Sequence, residues 1–165
     1  LAKKGDPNKY DLPKPIFNKG GCNLSFAGLK TSVLKITKEI KTDQEKFDLA
    51  ASFQKTVIEI LKKKTKIAFG EFEKEIKPKE KKFVVAGGVA ANKEIRNMLL
   101  QLCEKENYSP IFPPIELCGD NAAMIAMVGL ERFKLEEFSS LDHPAKPRWA
   151  LDEKAAFLKG AGVSL

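Results

Sequence analysis

The chain has 165 residues, of which 43% are hydrophobic, and this is enough to bury the core of one domain. Lysine and arginine total 29 against 22 acidic residues, and the net charge of +7 favours encounters with polyanions such as nucleic acids. No apolar run reaches the ~20 residues of a membrane span, and the three cysteines show no CxxC spacing. Composition therefore predicts a soluble, cytoplasmic protein without membrane contact and argues against a disulfide framework.

The first half of the chain contains one extended segment and two predicted helices. Residues 1–22 are rich in Pro, Gly, Lys and Asn without periodicity, which predicts an extended segment. Residues 23–26 are a candidate short strand, and Gly28 introduces a stretch with apolar residues at helical spacing. Residues 42–45 have the spacing of a capping box, so a second helix is predicted to begin there. Its apolar stripe runs down to the lysines of positions 62–64, whose charge also suits a helix C-terminus, and residues 65–82, which contain Pro78, are predicted to finish the helix and link it to the next element.

A strand, a glycine turn and a helix are predicted next. The apolar run at residues 83–86 ends in Gly87 and Gly88 and leads into apolar residues at helical spacing. Two glycines let the backbone approach a ligand closely, although such a turn is more often only tight packing. Asn92 either hydrogen-bonds a ribose or base, or caps the helix, and the local pattern favours the cap.

A second strand is predicted at residues 109–112, followed by a helix that opens at residues 118–120 and runs to about Lys134. Asp120 stands at the start of this helix, where a carboxylate either caps the N-terminus or coordinates a cation. The helix has almost no polar face and is predicted to be buried on most sides. His143 has no partner at HxxxH or HExxH spacing and is interpreted as an ordinary surface residue.

Four motifs carry a family resemblance when they are taken together. They are residues 23–31, residues 85–92, residues 118–126, and the triplet Pro147, Arg148 and Trp149. In this order they resemble the tRNA threonylcarbamoyladenosine transferase family, TsaD, formerly described as glycoprotease. The resemblance implies an α/β fold, the C-terminal part of an actin-like or sugar-kinase-like two-domain fold, helix-rich with few short strands. It implies a nucleotide- and metal-binding domain at residues 23–151 and a tail at residues 152–165.

Members of this family transfer threonylcarbamoyl from threonylcarbamoyl-AMP to N6 of adenosine 37 in tRNAs that read codons beginning with A. The resemblance implies that Asn92, with Gly87 and Gly88, binds the adenylate, and that Asp120 is one ligand of a divalent metal ion, iron or zinc. It assigns no catalytic residue. It implies tRNA and other proteins of the threonylcarbamoyladenosine pathway as partners. The lysines of positions 62–64 are then either a contact for tRNA phosphates or a solvated helix end.

The chain also departs from the family pattern. The two histidines of the family's HxxxH motif, which complete the metal site in relatives, do not occur in it. We therefore expect that the family's N-terminal domain is absent and that the chain alone is inactive. Two alternatives are a metallopeptidase, as the older family name suggests, and a non-catalytic scaffold of the modification complex. The lack of a readable HExxH base argues against the first, and the retained Asn92 and Asp120 argue against the second.

Overall fold

The computed structural model describes residues 1–145, so the motif at residues 147–149 and the predicted tail at 152–165 lie outside the described residues. The chain divides into two compact units, Leu1–Asn121 and a second unit that begins at Ala122. The helices and strands are α1 (Ala27–Thr37), α2 (Asp43–Ile76), β1 (Lys82–Val84), α3 (Lys93–Glu106), β2 (Ser109–Ile111) and α4 (Ala122–Lys134). Short 3₁₀ helices lie at Ala2–Lys4, Gly88–Ala91 and Ile115–Leu117.

The longest element, α2, begins where the capping box predicts. The Thr42 hydroxyl accepts a hydrogen bond from the Glu45 N–H at 3.2 Å, and the Glu45 carboxylate accepts one from the Thr42 N–H at 2.9 Å. These bonds satisfy two backbone donors that no helical carbonyl can reach. The helix ends at Ile76, followed by Lys77 in the left-handed conformation with φ of 49°.

The lysines of positions 62–64 lie in the middle of α2 and do not form the helix terminus that their charge suits, whereas the helix ends within residues 65–82, as predicted. Lys64 is buried, and its ammonium group donates to the carbonyls of residues 19 and 21 at 2.8 and 3.0 Å. Lys63 donates to the Asn18 side chain at 2.8 Å, and Lys62 is exposed. The helix continues because lysine is a good helix former and because two of these cations fasten the preceding segment to it.

The N-terminal segment is held against α2 by two buried polar side chains. The Asp48 carboxylate accepts a hydrogen bond from the Asp6 N–H at 2.8 Å, and the Ser52 hydroxyl accepts one from the Tyr10 N–H at 3.1 Å. The first core cluster joins residues from this segment, α1 and α2, namely Leu12, Leu29, Leu49 and Ile60. Residues 1–22 therefore have little regular structure and still contribute to the core.

The strand predicted at residues 23–26 does not occur, and this prediction is wrong. Helix α1 begins directly after these residues, at Ala27, and Leu24 and Phe26 are exposed. A strand needs a hydrogen-bonded neighbour, and within residues 1–145 the sheet consists of β1 and β2 alone. The helical stretch predicted after residue 26 is confirmed.

The sheet is built from two parallel strands, and the sequence predicts a strand at both places. Val84 of β1 lies opposite Ile111 of β2, and α3 connects the two strands. One face of the sheet packs against α3 through a cluster of apolar side chains, Phe83, Val85, Ile95, Met98, Leu99 and Phe112. This is the helix-rich α/β organisation that the sequence predicts. Because the strands are parallel, their carboxyl ends lie at the same edge of the sheet.

Helix α4 spans nearly the range predicted for it, but the prediction that it is buried on most sides is wrong. None of its residues is buried, and Ile125 and Phe133 are 64% and 66% exposed. In the described part of the second unit, residues 122–145, α4 is the only helix or strand, so this unit supplies no second element to cover it. Over residues 1–145, no helix is both long enough and apolar enough to cross a membrane.

Candidate functional site

Two loops of the first unit begin at the carboxyl ends of the paired strands. Strand β1 leads into the glycines of positions 87 and 88, directly after Val85 donates its N–H to the Ile111 carbonyl at 3.0 Å. Strand β2 leads through the 3₁₀ helix Ile115–Leu117 into Asp120. In open parallel α/β sheets, ligands bind in the crevice beyond the carboxyl ends of the strands. Because β1 and β2 are parallel, the loops that contain the two predicted motifs start at the same edge of the sheet.

The glycine turn is open on its outer side. Gly87 has a backbone φ of 92°, which residues other than glycine rarely adopt. Gly88 begins the 3₁₀ helix Gly88–Ala91. A Cβ atom added to either glycine would have no neighbouring atom within 4 Å. Tight packing, the alternative that the sequence left open, does not explain these glycines. An exposed turn without side chains leaves its backbone accessible to a ligand.

Asn92 caps α3, as its local sequence predicts. Its Oδ1 accepts hydrogen bonds from the N–H groups of Glu94 and Ile95 at 3.0 and 3.1 Å. Its Nδ2 donates to Gln54 Oε1 at 3.3 Å. An asparagine amide carries two N–H donors, so one donor of Asn92 remains for a ligand after these three contacts. The cap and a binding role are therefore compatible.

Asp120 is exposed, and its carboxylate makes no hydrogen bond or ion pair with any other described residue. It does not act as the cap of α4, which begins two residues later at Ala122. Across residues 1–145, no three His, Cys, Asp or Glu side chains lie close enough together to hold a metal ion. Asp120 can supply one oxygen ligand, while a zinc site requires three or four protein ligands. The donor set of the described residues does not hold a metal ion by itself.

Arg96 links the two loops, and the sequence analysis did not single it out. From α3 its Nε donates to the Ala90 carbonyl at 3.2 Å, at the end of the glycine turn. Its Nη2 lies 3.4 Å from the Pro113 carbonyl and 3.5 Å from the Cys118 sulfur. The guanidinium also lies 4.6 Å from the centre of the Phe112 ring. The one signal in the sequence is that this chain contains only three arginines among its 29 basic residues.

The first unit thus belongs to the class of parallel α/β proteins, with a loop leaving the carboxyl end of each paired strand. The family model of tRNA N6-adenosine threonylcarbamoyltransferase, TsaD, matches residues 1–127. The chain belongs to this family, as its four motifs predict.

Three relatives, each named tRNA N6-adenosine threonylcarbamoyltransferase, show the extent of the similarity. The protein of Pelagibacter ubique (strain HTCC1062) is 75% identical over 164 residues, which cover 99% of this chain and 46% of that protein. The Rickettsia rickettsii (strain Sheila Smith) protein is 47% identical over 155 residues, 92% of this chain and 45% of the relative. The Caulobacter vibrioides protein is 44% identical over 163 residues, 99% of this chain and 44% of the relative. The chain spans less than half the length of these curated relatives.

Proposed function

We propose that this chain forms part of a tRNA N6-adenosine threonylcarbamoyltransferase, which transfers threonylcarbamoyl from threonylcarbamoyl-AMP to adenosine 37 of tRNAs that read codons beginning with A. The observation that carries the proposal is the family match over residues 1–127. The parallel pairing of β1 and β2 supports it, because two loops with different chemistry leave the same edge of the sheet. One loop offers open backbone, and the other offers a carboxylate without a partner among the described residues.

The glycine turn is proposed to contact the adenylate. An adenylate carries a phosphate and a polar base, and backbone N–H groups beside glycines can approach such groups closely. Gly87 and Gly88 supply the open backbone, and the remaining Nδ2 donor of Asn92 supplies a side-chain contact. Oδ1 of Asn92 accepts hydrogen bonds from two helix N–H groups, and these bonds orient the whole side-chain amide. The remaining Nδ2–H donor therefore has a fixed direction before a ligand binds.

Asp120 is proposed as one ligand of a divalent metal ion, iron or zinc, whose remaining ligands come from outside the described residues. When bound, the ion would polarise the threonylcarbamoyl carbonyl. The exposed carboxylate fits this role, since no hydrogen bond or ion pair holds it to another described residue. A chain that supplies one ligand is expected to be inactive alone and to require the rest of the enzyme. Other proteins of the threonylcarbamoyladenosine pathway are proposed as partners of that complete enzyme.

Asp120→Ala in the complete enzyme that contains this chain tests the proposal. We expect loss of tRNA threonylcarbamoylation with an unchanged melting temperature, because the carboxylate supports no other described residue. The modified nucleoside is measured in tRNA digests after timed reactions. Glu116→Ala is the matched control, since Glu116 is another exposed carboxylate four positions earlier, and it should retain wild-type activity. Modification by Asp120→Ala at the wild-type rate would exclude the metal-ligand role.

A further inference from the structure

We infer that Arg96 is a positioning residue that holds the glycine turn and the Asp120 loop in one fixed arrangement. This inference rests on the proposed function, in which the two loops act on the same substrate. The two loops are separated along the chain by α3 and β2, and both are connected to the Arg96 side chain. A change at Arg96 therefore alters the relation between the loops without removing either set of binding groups.

The geometry of the contacts assigns this role to a guanidinium group. Nε and Nη2 point to different segments: Nε donates to the Ala90 carbonyl, and Nη2 lies within hydrogen-bonding distance of Pro113 and Cys118. The planar, rigid guanidinium of arginine can donate hydrogen bonds in two directions at once, whereas a lysine ammonium is a point charge on a flexible stem. The Phe112 ring, 4.6 Å from the guanidinium carbon, holds the plane of the guanidinium in place.

The target atoms also belong to the parts of the loops that need support. Ala90 lies in the 3₁₀ helix Gly88–Ala91, and the two glycines at and before its start have no side chain to pack. Cys118 is buried, 3% exposed, and its sulfur lies 3.7 Å from the Pro113 carbonyl, so it anchors the chain two residues before the exposed Asp120. Arg96 thus contacts the inner part of each loop, at Ala90 and Cys118. Among the described residues, its side chain makes no hydrogen bond with the groups proposed to bind the substrate.

The test compares Arg96→Met, Arg96→Lys and the control Lys93→Met in the complete enzyme that contains this chain. Lys93 is exposed and lies in the first turn of the same helix. We expect both Arg96 variants to lose roughly 10- to 100-fold in kcat, because misplacement by about 1 Å costs on the order of 100-fold. The KM for threonylcarbamoyl-AMP should change by less than about threefold, because the binding groups remain.

Amide hydrogen exchange supplies a readout that does not depend on activity. Residues 87–91 and 118–120 should exchange faster in both Arg96 variants, while the core of α3 keeps its protection and Lys93→Met matches the wild type. An unchanged kcat would overturn the inference. Full activity of Arg96→Lys, or faster exchange throughout the first unit, would also overturn it and indicate a charge or stability role. If the wild-type enzyme transfers nothing, the proposed function fails, and the exchange data still decide whether Arg96 joins the two loops.

Discussion

Gly5 shows at the scale of one residue how closely the N-terminal segment is packed on α2. A Cβ atom at this position would overlap the carbonyl group of Phe47 and the backbone nitrogen of Asp48. The Gly5 φ of −108° is open to any residue, so the requirement for glycine comes from contact and not from conformation. Neither backbone group can rotate away, since both belong to a regular helix.

We expect Gly5→Ala to lower the free energy of unfolding by about 1–3 kcal/mol, the usual cost of overpacking. Urea denaturation of the complete protein measures this change, and exchange of the Asp6 N–H, which donates to Asp48, reports whether the segment separates from α2. Gly20→Ala is the matched control, because a Cβ at Gly20 has no atom within 4 Å. Equal denaturation midpoints for the two variants would show that the backbone relaxes at little cost.

The capping box makes the start of α2 sensitive to pH at the scale of one element. Hydrogen bonds from the Lys41 and Thr42 N–H groups hold the pKa of the Glu45 carboxyl below its ordinary value of 4.5. A carboxyl whose pKa is lower in the folded state stabilises that state above the unfolded pKa. This stabilisation is lost as the pH falls through the lower, folded-state pKa.

Glu45→Gln keeps the shape of the side chain and removes its charge. We expect the wild type to have the higher melting temperature at pH 7 and the difference to disappear as the pH falls below 4.5, the ordinary pKa of the carboxyl. Thermal unfolding of both proteins at several pH values measures this difference in melting temperature. The control is Glu39→Gln, which replaces an exposed carboxylate that caps no helix among residues 1–145 and should show no such trend. A difference that persists in acid would assign the effect to hydrogen bonding alone.

For the molecule as a whole, the net charge is +7, but the lysines of positions 62–64 in α2 do not form one exposed basic patch. Lys64 is 3% exposed and binds two backbone carbonyls, so it cannot reach a phosphate without breaking these contacts. Lys62 is the exposed member of the run. The two lysines are separated by one residue and are expected to have different roles.

Lys64→Gln should destabilise the complete protein by about 1–3 kcal/mol, because the buried side chain loses its charged hydrogen bonds to the carbonyls of residues 19 and 21. It should leave the salt dependence of tRNA binding unchanged, since the slope counts neutralised phosphates. Lys62→Gln should leave stability unchanged and serves as the matched control. Urea unfolding and tRNA titration at several salt concentrations measure both properties. A flatter salt dependence for Lys64→Gln would mean that the lysine leaves its buried position to contact tRNA.

Elements with local signals could be predicted from the amino-acid sequence. The capping box of α2, the Asn92 cap of α3 and the glycines after β1 each act through bonds or backbone angles within a few residues, so their positions could be predicted. The four ordered motifs also predicted the family and the candidate site residues. The binding roles of Gly87, Gly88, Asn92 and Asp120 remain proposals.

Features that depend on contacts between residues distant in sequence could not be predicted and are known from the fold. Residues 23–26 have a strand-like composition, but no neighbouring strand pairs with them among residues 1–145. The Arg96 contacts with Pro113 and Cys118 join residues 17 and 22 positions apart, and the Lys64 contacts span 43 and 45 positions. Local propensity contains no information about such contacts, because their free energy depends on which segments the fold brings together. For the same reason, the apolar pattern of α4 could predict a helix but not whether the chain covers it.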